Sequence, residues 1–135
     1  RTTGGAGCNR CHNAPEFDID PASRNNGIIG KLNATGFDLA VTRSPSLRDL
    51  VNNNGVLNGN MMHTGVITSL QAAVGHYNTI VANPANTNLD PRLRPNGFGQ
   101  QLNLNGTEMA ALTAFLRTLS GTNIYTDSRW SNPFK

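Results

Sequence analysis

Both cysteines of this chain fall within one short stretch, GAGCNRCHN, residues 5–13, as Cys8 and Cys11 with His12 directly behind. Three readings compete for such a turn. A disulfide between residues three apart tends to be redox-active, and such motifs sit in βαβ surroundings that this sequence lacks. A zinc site needs a fourth ligand. His63 and His76 offer candidates, but structural zinc usually takes its ligands as two Cys/His pairs, and there is no second cysteine pair. The third reading is covalent haem attachment, for which C-x-x-C-H is the recognised spacing. Cysteines at i and i+3 project from one side of a helical turn, so both thiols can reach the two vinyl groups of one porphyrin. The adjacent imidazole then meets the iron. The expectation is therefore one haem c, covalently held by Cys8 and Cys11, with His12 as proximal ligand. Such attachment takes place outside the cytoplasm, so an exported protein in a periplasmic, lumenal or extracellular space is expected.

Composition agrees with a chain that needs help to build a core. Only 37% of the 135 residues are hydrophobic and 14% charged, and the polar remainder is dominated by Asn, Gly, Thr and Ser. Asn and Gly favour turns, so short helices joined by long loops are expected, and a large buried cofactor would supply missing apolar surface. The length suits a single domain over residues 1–135, with 121–135 as a tail packing on it. The net charge of +3 rests mostly on arginine. There is no basic run interleaved with aromatics, which argues against nucleic-acid binding. No stretch approaches the roughly 20 apolar residues of a membrane span. With no signal peptide at Arg1, the sequence reads as a mature form or an excised domain.

Along the chain, residues 4–12 are expected to form a short helix and 13–43 a wrapping loop. Ser44-Pro45 looks like a helix start leading into Leu47, Leu50 and Val51. Thr68-Ser-Leu-Gln71 fits a capping box, after which Leu70, Ala73, Val74, Tyr77 and Val81 share a helical face. Residues 83–104 make a long connection, the kind that usually covers something. A last helix is capped by Thr107, lined by Met109, Leu112, Phe115, Leu116 and Leu119, and ended by Gly121. Tyr125, Trp130 and Phe134 in the tail are expected to pack back. With no repeat and no alternating strand pattern, the fold class expected is all-α.

A haem iron with two protein ligands exchanges electrons with little rearrangement, whereas an open sixth position invites peroxide or oxygen. Met61 and Met62 lie in an Asn/Gly-rich loop about fifty residues past His12, which suits a thioether approaching from the opposite face. Arg48 is a candidate partner for the haem propionates, which a guanidinium pairs bidentately. Phe17, Phe37, Ile28, Ile29 and Leu32 are candidate pocket walls. His76, off the apolar face, is expected to face solvent, and Met109 to be core.

A series of segments follows in order: Ser44-Pro-Ser-Leu-Arg-Asp49, Met62-His63-Thr64-Gly65, Ser69-Leu-Gln-Ala-Ala-Val-Gly-His-Tyr-Asn78, Leu89-Asp-Pro-Arg-Leu93 and Thr107-Glu-Met-Ala-Ala-Leu-Thr-Ala-Phe-Leu-Arg-Thr-Leu119. With CNRCH, this series resembles the C-terminal haem domain of the bacterial di-haem cytochrome c peroxidase and MauG-like family. The corresponding segments there read approximately PSLRN, MHDG, LEEVVxHYN, LDPRL and LTxxExxxLxxFLxxL. The resemblance runs from Gly5 to Gly121. It implies a cytochrome c-like fold, short helices and long loops wrapped around one covalently bound haem, with first and last helices crossing at small residues such as Gly5 and Ala6. It also implies that His63, at the MHDG histidine, lines the haem edge or bonds a propionate. Tyr77 stands at the family's axial position, which is methionine in the peroxidases and tyrosine in MauG. Met62 and Tyr77 thus compete for the sixth site, Met62 being preferred because sulfur suits a simple electron carrier.

The chain departs from the family in two ways. It has one C-x-x-C-H where family enzymes have two, and peroxide is cleaved at their other haem, so the resemblance implies the electron-transfer half. Asn58-Gly59-Asn60 stands where the family often has Thr-x-Pro supplying carbonyls to calcium, which argues against a calcium site. The expected function is single-electron transfer by a c-type cytochrome domain, serving a redox partner protein or a fused redox domain. The alternative is peroxidase or MauG-like oxidation at this haem.

Overall fold

The computed structural model describes residues 5–18, 20–40, 43–123, 126–130 and 134, with only the backbone of Trp130. Its α-helices among these residues are α1, Leu70–Asn78, and α2, Gly106–Thr118. Single 3-10 turns occur at Cys8–Arg10, Pro91–Leu93, Pro95–Gly97 and Ser128–Trp130. The remainder is loop, tied by isolated bridges such as Val51–Leu57, Met61–Ile67, Thr79–Gln101 and the parallel Asn25–Leu89.

The all-α, cytochrome c-like architecture expected from the sequence is therefore corrected: helix is a minor part of a loop-dominated chain. The reasons are local. The helix expected over 4–12 shrinks to one 3-10 turn because Gly5 and Gly7 hold φ of 61° and 70°, left-handed values that no α-helical run passes through. A Cβ on Gly5 would meet nothing within 4 Å, so no close helix crossing is made there. The helix expected from Ser44-Pro45 is absent because its amides bond elsewhere. Ser44 N–H donates to the Ser23 hydroxyl, Leu47 N–H to the Phe17 carbonyl and Val51 N–H to the Ser120 hydroxyl. Asp49, with φ of 58°, breaks any remaining helical path.

The two α-helices lie close to their expected places. Ser69 rather than Thr68 caps α1, its hydroxyl accepting from Ala72 N–H at 3.0 Å. Leu70, Ala73 and Val74 are buried, as the periodicity required, while Val81 lies beyond the helix and is 80% exposed. Asn105, not Thr107, caps α2 in a reciprocal capping box: Glu108 N–H donates to Asn105 Oδ1 and Asn105 N–H to Glu108 Oε2. None of α2's residues is buried, and Phe115 remains 45% exposed. The helices pack where Gly75 of α1 faces Met109 of α2, whose methyl lies 3.6 Å from the position a Cβ would take.

A small core of Ile29, Val51, Ile67, Leu70, Ile80 and Leu89 sits under these loops. Chain 99–102 zips onto the end of α1 through Ile80 N–H to the Gln100 carbonyl and Leu102 N–H to the Asn78 carbonyl. Gly99 is obligatory there: a Cβ would stand 1.9 Å from the Ile80 carbonyl oxygen. The long 83–104 connection does cover the interior. Asn86 exchanges two 2.8 Å amide hydrogen bonds with Asn25, which is 1% exposed. In the tail Phe134 is 93% exposed rather than packed back, and Tyr125 and the Trp130 side chain lie outside the described residues.

Candidate functional site

Cys8 and Cys11 bracket one 3-10 turn, and both are free thiols. Cys8 opens to solvent on one side, yet the protein around each sulfur pushes its thiol above the ordinary range by desolvation. Cys11 N–H and His12 N–H both donate to the Cys8 carbonyl, which sets His12 against the same turn. Burial holds the His12 imidazole below its ordinary pKa, with the Pro45 carbonyl and Asp20 opposing, so the ring is neutral at neutral pH. Its Nδ1 is buried and completes no hydrogen bond.

This turn is clamped by a charge cluster that sequence reading did not single out. Arg92 donates from Nε and Nη2 to the two carboxylate oxygens of Asp90, at 2.9 and 2.8 Å, a bidentate pair. Its Nη1 donates to Asp20 and, at 2.6 Å, to the carbonyl of Arg10 between the cysteines. Asp90 also accepts from the backbone N–H of Arg24 and of Arg92. The Asp90 side chain is only 3% exposed, and its carboxyl is depressed to about 2, chiefly by the Arg92 hydrogen bonds. Leu89-Asp-Pro-Arg-Leu93 was legible as a motif; its task of bracing the cysteine turn was not.

The two candidates for the opposite side meet at a third residue. The Asn26 amide donates to the Met62 sulfur at 2.8 Å and reaches the Tyr77 hydroxyl at 3.4 Å. Met62 adopts a left-handed φ of 68° within its loop. Burial pushes the Tyr77 phenol above its ordinary range, Asn26 opposes, and negative charge on Cys11 or Cys8 would raise it further. The Tyr77 hydroxyl thus shares an electrostatic neighbourhood with both thiols. His76, expected to face solvent, is instead half-buried: its Nε2 bonds the Asn26 carbonyl at 2.9 Å and its ring stands edge-on to Tyr77. Desolvation lowers its pKa.

Other expected site residues are placed differently. Arg48 pairs with Glu16 at the surface, each side chain more than half exposed. His63 is exposed and bonds the Gly30 carbonyl through Nε2 at 3.0 Å. Among the expected walls, Ile29 is buried and Phe17 stacks edge-on with Phe115, but Leu32 and Phe37 are 60% and 54% exposed. Asn26 was missed because Asn25-Asn26-Gly27 reads as a turn signal and nothing more. One further buried polar atom, Thr64 Oγ1, sits two residues from Met62 with no hydrogen-bond partner.

The arrangement gathers two free thiols on one turn, a neutral imidazole beside them, and a thioether and a phenol joined through Asn26. Stranded atoms such as His12 Nδ1 and Thr64 Oγ1 cost roughly 1–3 kcal/mol each when left unpaired, which fits a site completed by another group. Among the described residues no three His, Cys, Asp or Glu side chains are grouped to hold a metal ion by themselves. A cleft among Ala82, Asn86, Leu89 and Arg94 and another among Val51, Gly55, Arg117 and Ser120 do not include Cys8, Cys11 or His12. No helix of the described residues is long and apolar enough to cross a membrane. Comparison with protein-family models, with curated proteins and with solved structures returned no match for the chain.

Proposed function

We propose that this chain is an exported electron-transfer protein or domain holding one haem c, related to the C-terminal haem domain of the di-haem peroxidase and MauG-like family. Cys8 and Cys11 would hold the haem through their sulfurs, and His12 and Met62 would supply a nitrogen and a sulfur to its iron. When bound, the haem supplies a one-electron iron couple. The observation that carries the reading is His12: an imidazole kept neutral by burial, its Nδ1 unpaired, fixed against a turn bearing two free thiols.

The chain's own residues then have defined tasks. Arg92, through Asp90, Asp20 and the Arg10 carbonyl, keeps the cysteine turn in one conformation, so the proximal side moves little when charge changes. Asn26 holds the Met62 sulfur, and Thr64 would offer an unpaired hydroxyl to an acceptor such as a propionate. The half-exposed apolar row of α2, including Phe115 against Phe17, provides surface that a porphyrin face would bury. Partners are a separate redox protein or a fused redox domain.

Expression in a host with c-type maturation machinery tests this. The expected product is coloured, shows sharp Soret and α/β bands on reduction, and keeps its pigment in acidified butanone. Its ferric form shows the red charge-transfer band of a methionine sulfur ligand. A colourless protein, or one that releases its pigment, overturns the proposal. Immediate binding of cyanide or peroxide would overturn the carrier assignment in favour of oxidative chemistry at an open site.

A further inference from the structure

We propose that Asn26 is the positioning residue that presents the Met62 sulfur to the iron. This deepens the haem reading above and rests on it. The Asn26 side-chain amide has one strong contact, Nδ2 to Met62 Sδ at 2.8 Å, and one longer contact, Nδ2 to Tyr77 Oη at 3.4 Å. The two rivals for the sixth site are therefore connected through a single donor group. A thioether sulfur has two lone pairs. A hydrogen bond on one fixes the direction of the other.

Asn26 is itself held rigidly enough to do this. Its Oδ1 accepts from Ile28 N–H at 3.1 Å, closing an Asx turn, so the amide orientation is set by the backbone. Its carbonyl accepts from His76 Nε2 of α1, and the preceding Asn25 is locked to Asn86. Gly27 follows at φ of 94°, with Ile80 Cγ2 3.1 Å from where a Cβ would lie, so the chain cannot drift at that point. The donor is thus anchored from three directions before any ligand is considered.

Two variants separate donation from shape. Asn26→Asp keeps the Oδ1 acceptor of the Asx turn and the backbone carbonyl but removes the N–H donor. Asn26→Ser keeps a turn-forming oxygen without charge, on a side chain too short to reach Met62. Both are compared with the parent holoprotein by ferric spectrum, reduction potential and thermal midpoint. The expected result is retained covalent haem, with the red charge-transfer band weakened or lost in both. The potential falls as well, because a hydrogen bond to sulfur withdraws density that would otherwise favour ferric iron. A merely structural role would shift the midpoint and leave band and potential alone, and that result overturns the assignment. Should neither variant fold, the parent still decides. In reduced protein with labelled methionine methyls, an NOE joins the Met62 methyl to the Asn26 side-chain amide, and its absence overturns the proposal. A parent without haem would instead overturn the function proposed above, so the two failures are distinguishable.

Discussion

Replacing Asp90 by Asn tests the brace behind the cysteine turn. The carboxyl is depressed from 3.8 to about 2 and is 3% exposed, with acceptor bonds from Arg92 Nε, Arg92 Nη2, Arg92 N–H and Arg24 N–H. A carboxyl held that far down corresponds to about 2 kcal/mol of stability at neutral pH. For a chain of 135 residues that amounts to roughly 7 °C in thermal midpoint. A depressed carboxyl contributes its stability above the unfolded pKa and loses it as pH falls through the folded one. The difference between parent and Asp90→Asn should therefore be full at pH 5 and above, shrink below about pH 4 and be nearly gone by about pH 2. Urea unfolding of both proteins across that range measures it. A gap that persists unchanged to pH 2, or no gap at neutral pH, would refute the ion-pair account. The same variant should also lower the yield of covalently loaded protein, since Arg92 would no longer be aimed at the Arg10 carbonyl.

Three further substitutions have defined outcomes. Gly99→Ala drives a methyl into the Ile80 carbonyl 1.9 Å away and should cost at least about 3 kcal/mol, read as a collapsed denaturation midpoint. Asn105→Ala removes the side-chain half of the α2 capping box, leaving Glu108 Oε2 to accept from the backbone N–H, and should cost about 1 kcal/mol, with a matching loss of helical circular dichroism before the main transition. Arg48→Ala breaks only an exposed pair with Glu16, so stability should change by less than about 1 kcal/mol and the haem spectrum not at all. A changed spectrum there would restore Arg48 as a propionate partner.

Patterns with a local cause were legible in the sequence. The faces of α1 and α2 follow from apolar spacing, and both helices start within a residue or two of where caps at Thr68 and Thr107 were expected. What failed was the sum. Gly5, Gly7 and Asp49 take left-handed backbone that propensity did not reveal, and the Ser44–Val51 amides are claimed by groups distant in sequence. Together the left-handed residues and these long-range hydrogen bonds remove two expected helices and with them the all-α assignment. In the candidate site, residue type alone singled out Cys8, Cys11, His12, Met62 and Tyr77. Arg92 and Asn26 did not, because an arginine after Asp-Pro and an asparagine before Gly look like ordinary turn chemistry until the fold shows what they touch.

The lone bridges and the asparagines have a joint consequence. Where a ladder would run, this chain sews distant loops with amides: Asn25 to Asn86, Asn88 to the Leu39 carbonyl, Asn78 to Leu104, Asn58 to the Asp49 carbonyl. Carboxamides neither gain nor lose protons across the biological range. These stitches therefore hold equally in acid and in alkali, whereas the Asp90–Arg92 pair beside the cysteine turn gives way as acid protonates the carboxyl.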